Sequence, residues 1–110
     1  MSYTIDDIRE KVIPIIEHDA KELRRVIVFG SYASGSQTPF SDLDLYVDGR
    51  FEYRFEDEKD TEQKISEALS IPVDLITRAS LMNSVIREKL QRNIELEGVV
   101  LYGQQNLSAS

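Results

Sequence analysis

The chain has no cysteine and no tryptophan, a single histidine and only three prolines in 110 residues. Without cysteine, a disulfide framework, a thiolate zinc site and a thiol nucleophile are all excluded. No apolar run approaches the roughly 20 residues that a membrane-spanning helix needs. The opening MSYTIDDIRE has neither the basic start nor the apolar segment of a secretion signal, so a cytoplasmic location is expected. Positive charge is scarce as well: 13 Lys and Arg stand against 20 Asp and Glu, a formal net charge of −7. That balance argues against direct binding of nucleic acid, whose phosphates call for a basic patch. It suits carboxylates gathered around divalent cations, or a basic protein partner, although most acidic domains are simply well solvated.

Apolar residues make up 41% and charged residues 30%, an ordinary globular balance at a length that supports one core. There is no internal repeat and no linker. One domain is expected over residues 1–103, followed by a polar, disordered tail over 104–110.

Ile5, Ile8, Val12, Ile15 and Ile16 recur at helical spacing, with Thr4 as a cap and Asp6 and Asp7 in the first turn. Pro14 inside this pattern predicts a kink or two short helices. Arg25-Val26-Ile27-Val28-Phe29 reads as a strand buried on both faces, ending at Gly30. In the second strand Leu43, Leu45 and Val47 form a core face, and Asp42, Asp44 and Tyr46 a polar one; Asp48-Gly49 signals its closing turn. The charged stretch from Phe51 to Leu69, with Phe55, Ile65, Ala68 and Leu69 as its apolar stripe, predicts a helix in its second half. Ile71 to Thr77 reads as a third strand with Pro72 at its start. Ser80 or Asn83 could cap one last helix carrying Leu81, Val85, Ile86, Leu90 and Ile94, ended by Gly98 and followed by a short strand, Val99 to Tyr102. The order predicts an α/β domain with a small mixed sheet of three to four strands packed with helices.

Two local patterns bear on function. A buried strand running into Gly30-Ser31 and more small residues can swing into a short helix, whose free N–H groups bind anions; a plain chain-reversing turn is the simpler reading. Asp42 and Asp44 share one strand face about 6.5 Å apart. Two such acids repel unless a cation lies between them, and a pair of Mg²⁺ ions about 3.5–4 Å apart does this. A solvated edge strand is the alternative. Asp74, which breaks a further apolar run on a strand expected beside the second, favours the metal reading.

Gly30-Ser31, ten residues, then Asp42-Leu43-Asp44 and the later Asp74 resemble the nucleotidyltransferase superfamily related to polymerase beta, over about residues 5 to 102. The ending REKLQRNIELEGVVLYG is similar to the minimal nucleotidyltransferases of prokaryotes, antitoxins paired with HEPN-domain toxins. The resemblance implies a polymerase-beta-like fold in which Gly30 and Ser31 hold the β- and γ-phosphates of a nucleoside triphosphate, with ATP expected. It implies that Asp42, Asp44 and Asp74 are catalytic and bind two Mg²⁺, Asp74 also helping to activate the attacking hydroxyl. NMP would pass to that hydroxyl, on a side chain of a HEPN toxin, and pyrophosphate would leave. Ser34 stands where the family often has Arg or Lys.

Other polar residues read more simply. His18 suits a helix end. Lys21, Arg24 and Arg25 form a connector or a phosphate contact beside the Gly-Ser turn. Glu56, Asp57, Glu58, Asp60 and Glu62 look like a solvated run, and Tyr46 either lines a base pocket or packs. Tyr53 and Tyr102 are core or interface aromatics. Two other functions compete with protein modification: a non-catalytic module that masks a partner ribonuclease, and a small-molecule nucleotidyltransferase, for whose second domain 110 residues leave no room. The base, the acceptor and any homo-oligomer stay open.

Overall fold

A computed structural model of the chain describes residues 3–52 and 54–103, apart from the side chains of Arg54 and Phe55. The expected tail over 104–110, Tyr53 and the Phe55 side chain thus lie outside the described residues. Helix α1 (Ile5–Asp19) begins at Thr4 in a reciprocal cap: Asp7 N–H donates to Thr4 Oγ1 and Thr4 N–H to Asp7 Oδ2, each 3.1 Å. Pro14 lies within α1 without dividing it into two helices. It lies on the exposed face, where water can satisfy the Glu10 carbonyl whose partner the proline removes.

Strand β1 (Lys21–Phe29) is longer than its apolar run, with a register irregularity between Lys21 and Arg25. A single turn, α2 (Ser31–Ser34), leads through a loop to β2 (Leu43–Arg50). Helix α3 (Arg54–Leu69) is helical from its charged first half, so helix extends further than the apolar stripe alone predicted. Strand β3 (Val73–Thr77) follows, with Pro72 just outside it. The Pro72 carbonyl nonetheless accepts from Leu43 N–H at 2.9 Å, starting the β2–β3 ladder.

The expected last helix is two: α4 (Arg78–Met82), capped by Thr77 rather than by Ser80 or Asn83, and α5 (Arg87–Glu97). Between them Val85 is fully exposed and Ile86 half-exposed, so the helical stripe drawn through both is corrected. Strand β4 (Val99–Tyr102) completes a sheet of order β3-β2-β1-β4, in which β2 and β3 are parallel and the other neighbours antiparallel.

Both sheet faces are covered. Val26 and Val28 of β1, with Leu43, Leu45 and Val47 of β2, pack on Ile8, Val12 and Ile16 of α1 and Ile65 and Leu69 of α3. On the opposite face Ile27, Phe29 and Tyr46 pack on Leu81 of α4 and Ile94 of α5. Each large side chain so buried contributes about 1.5–3 kcal/mol of transfer free energy. The second face is polar at Asp44 and at Asp42 just ahead of β2, as expected, but not beyond them. Tyr46 is core, and Asp48, far from opening a turn, is buried in the strand. Asp48 Oδ2 lies 3.5 Å from Arg25 Nε and 3.6 Å from an Arg78 terminal nitrogen, tying β2 to β1 and α4.

Candidate active site

Parallel pairing of β2 with β3 sets Asp44 directly opposite Asp74. Adjacent strands lie about 4.8 Å apart, so opposed residues on one face are close neighbours. Asp42 stands two residues before Asp44, exposed, at the entry to β2. All three acids expected from the sequence therefore meet at one end of the sheet. Asp44 and Asp74 stand on the sheet face that carries Tyr46, where the apolar layer gives out.

The Gly-Ser turn reaches the same place from β1. Phe29, its last strand residue, pairs with Asp44, and Gly30 follows at φ 73°, ψ −149°, a conformation reserved for glycine. A methyl group on Gly30 would lie 2.3 Å from Asp44 Oδ2, so the Asp44 carboxylate rests directly over the glycine backbone. The Gly30 carbonyl accepts from Ala33 and Ser34 N–H, each at 3.1 Å. Ser31 and Tyr32, at the helix start, have no intrahelical acceptor for theirs. Ser34 Oγ donates to the Ser31 carbonyl (3.3 Å) and is hydrogen-bonded to Ser36 Oγ (2.7 Å), so Ser34 braces the turn.

The charges here are unbalanced. The Asp44 carboxyl is pushed up to about 6, first by burial and then by the charges of Asp74 and Asp42. Asp74 is exposed as a whole residue, yet its carboxyl is also raised. Lost hydration beside the strand comes first, then the charges of Glu62 and Asp42, against a lowering by Lys59. Acids that resist ionisation for want of a counter-charge are suited to a divalent cation, and an all-carboxylate donor set suits hard ions such as Mg²⁺, Ca²⁺ or Mn²⁺. Among the described residues no three acidic or imidazole side chains already form a closed metal cluster.

Several residues fall elsewhere. His18 is exposed, with Nδ1 2.9 Å from Asp19 Oδ1. Arg25 is buried against Asp48, not part of a solvated connector or a phosphate contact, while Lys21 and Arg24 are exposed. The acidic run on α3 is not all solvated: Glu58 is buried and accepts from Thr77 Oγ1 at 2.9 Å, and Glu62 accepts from Leu75 N–H at 2.9 Å. A signal for both was present. Glu58, Glu62 and Ser66 recur every four residues, one position from the buried stripe of Thr61, Ile65 and Leu69. Tyr102 is partly exposed on β4.

A four-stranded mixed sheet with Asp44 opposite Asp74, Asp42 just ahead of β2 and the Gly-Ser turn against them is the arrangement that the sequence resemblance implied for nucleotidyl transfer. The sequence pattern of the family described as "Polymerase beta, Nucleotidyltransferase" matches residues 10–107. The chain belongs to that family, and its activity class is nucleotidyl transfer. A Methanocaldococcus jannaschii protein provisionally named a protein adenylyltransferase is 30% identical over 97 residues, covering 83% of this chain and 95% of its own. Among solved structures, a toxin–antitoxin crystal structure with AMP-PNP is 27% identical with a TM-score of 0.74, covering 88% of this chain and 74% of that one. A structure provisionally described as a minimal nucleotidyltransferase is 27% identical with a TM-score of 0.62, covering 88% and 95%.

Proposed function

We propose that the protein moves AMP from ATP, with Mg²⁺, onto a side-chain hydroxyl of a partner HEPN-domain toxin, and so acts as its antitoxin. The observation that carries this reading is the apposition of Asp44 and Asp74 on parallel strands, with Asp42 beside them and Gly30 beneath. The kinship to a protein named an adenylyltransferase favours AMP and a protein acceptor, and the likeness to a toxin–antitoxin structure with AMP-PNP favours the toxin partner.

Asp42, Asp44 and Asp74 would hold Mg²⁺, which when bound supplies the charge that neutralises the triphosphate and the departing pyrophosphate. The chain's own residues do the rest. Gly30, lacking a side chain, lets the triphosphate approach the backbone, and Ser31 donates to it from hydroxyl and amide. Asp74, opposite Asp44 on the neighbouring strand, would take the proton of the attacking hydroxyl. The acceptor oxygen–phosphorus bond forms as the bond to pyrophosphate breaks, and the proton passes through Asp74 to solvent. On a nucleic-acid-binding toxin the added AMP brings bulk and negative charge against phosphate binding.

A masking role without catalysis is favoured by one other feature. Met82, Val85 and Ile86 expose apolar surface around a groove of about 760 Å³ that includes no site residue. The test is to incubate the protein and its partner with α-labelled ATP and Mg²⁺, comparing wild type with Asp42→Ala and Asp44→Ala. Label on the partner with wild type alone is the expected result. Absence of label with any NTP, together with toxin neutralisation that survives both substitutions, would leave masking as the function.

A further inference from the structure

Strand β3 carries Asp74 but is the edge of the sheet, since among the described residues only β2 pairs with it. An edge strand has a row of backbone groups with no ladder partner, and its position is correspondingly loose. Here one helix face stands in for the missing strand. Three residues of α3, each four apart, bond to β3 and its approach: Ser66 Oγ donates to the Ile71 carbonyl (2.7 Å), Glu62 Oε2 accepts from Leu75 N–H (2.9 Å), and Glu58 Oε1 accepts from Thr77 Oγ1 (2.9 Å). Glu62 is itself steadied by Lys59, whose Nζ lies 3.6 Å from Glu62 Oε1.

The central rung matters most for chemistry. The N–H that Glu62 accepts belongs to the peptide unit immediately after Asp74, so this bond fixes the backbone from which the Asp74 carboxylate projects. On the other side, the β2 ladder holds Asp74 opposite Asp44. We propose that Glu62 is a positioning residue: by accepting from Leu75 N–H on the free edge of β3, it holds Asp74 in register with Asp44 for nucleotidyl transfer. The inference rests on the role given to Asp74 above. The positioning role belongs to Glu62 as a hydrogen-bond acceptor, because the donor is a neutral amide; its charge is a separate influence on the Asp74 carboxyl.

That distinction sets the test. Glu62→Gln keeps an acceptor oxygen at the same reach, whereas Glu62→Ala removes it. Three quantities are measured on the full chain: hydrogen exchange at the Leu75 amide, Mn²⁺ affinity, and kcat and KM for ATP in transfer to the partner. In Glu62→Ala, exchange at Leu75 should rise about tenfold or more. Mn²⁺ affinity should weaken several-fold, and kcat should fall by about 10- to 100-fold with little change in KM, as for a displaced catalytic group. Glu62→Gln should recover all three to within a few-fold. The proposal is overturned if Glu62→Gln loses as much as Glu62→Ala, since charge would then be the agent. It is also overturned if Glu62→Ala loosens Leu75 while Mn²⁺ affinity and kcat stay at wild type. Should wild type transfer no label, the transferase reading fails on its own, and Leu75 exchange with Mn²⁺ affinity still decides the role of Glu62.

Discussion

Gly30→Ala is the sharpest single perturbation of this site, because two separate costs fall on one methyl group. The first is conformational. At φ 73° and ψ −149° an L-residue is strained by about 1–3 kcal/mol. The second is steric: the new Cβ would sit 2.3 Å from Asp44 Oδ2, so the carboxylate must retreat by about 1 Å to reach ordinary contact. Strain of this size lowers Tm by roughly 5–15 °C in a domain of this length. A displacement of about 1 Å in a catalytic group costs about 100-fold in rate. Gly35→Ala supplies a matched control. Gly35 also has positive φ, 77°, yet a Cβ there meets nothing within 4 Å. Both variants should lose stability in thermal unfolding followed by circular dichroism, but only Gly30→Ala should lose transfer of label from α-labelled ATP. Equal transfer by both variants, at whatever level, would refute the placement of the Asp44 carboxylate over the turn.

Other expectations follow from the same geometry. Because the folded-state carboxyl of Asp44 is raised to about 6 from an ordinary value of 3.8, the metal-free protein keeps its proton where the unfolded chain has released it. The contribution of Asp44 to stability without Mg²⁺ should therefore be fully present below about pH 4 and be lost as pH rises through about 6; the difference between wild type and Asp44→Asn in urea titrations should show that slope. Asp48→Ala withdraws the carboxylate facing buried Arg25 and half-exposed Arg78, and should cost about 3–5 kcal/mol in urea unfolding. Val85→Ser should change stability by less than about 0.5 kcal/mol, whereas Leu81→Ala should cost about 2–5 kcal/mol, although a helical pattern puts both on one stripe.

The three acids and the Gly-Ser turn were legible because each breaks a pattern locally: carboxylates within apolar runs, small residues after a buried strand. The core face of β2 was legible for the same reason, through alternation at Leu43, Leu45 and Val47. What lay out of reach depends on partners distant in the chain. Tyr46 and Asp48 look like a polar strand face until α4 and α5 fold over them. Glu58 and Glu62 look solvated until the donors of β3 arrive 13 to 19 residues later. Val85 satisfies a helical period that the chain abandons between α4 and α5, and Pro14 breaks a rule that solvent on one face relaxes. Nor does any local pattern state that residue 74 falls opposite residue 44, since pairing register is a property of two strands together.

That pairing has a consequence for how the chain tolerates change. Side chains alternate faces with every residue, so a deletion of one residue anywhere between the start of β3 and Asp74 would turn the third acid to the other side of the sheet and leave Leu75 facing Asp44. The domain could still bury most of its apolar surface and pass as folded. Catalysis here is thus a stricter reporter of correct strand assembly than stability is, and length changes near β3 should silence the enzyme well before they unfold it.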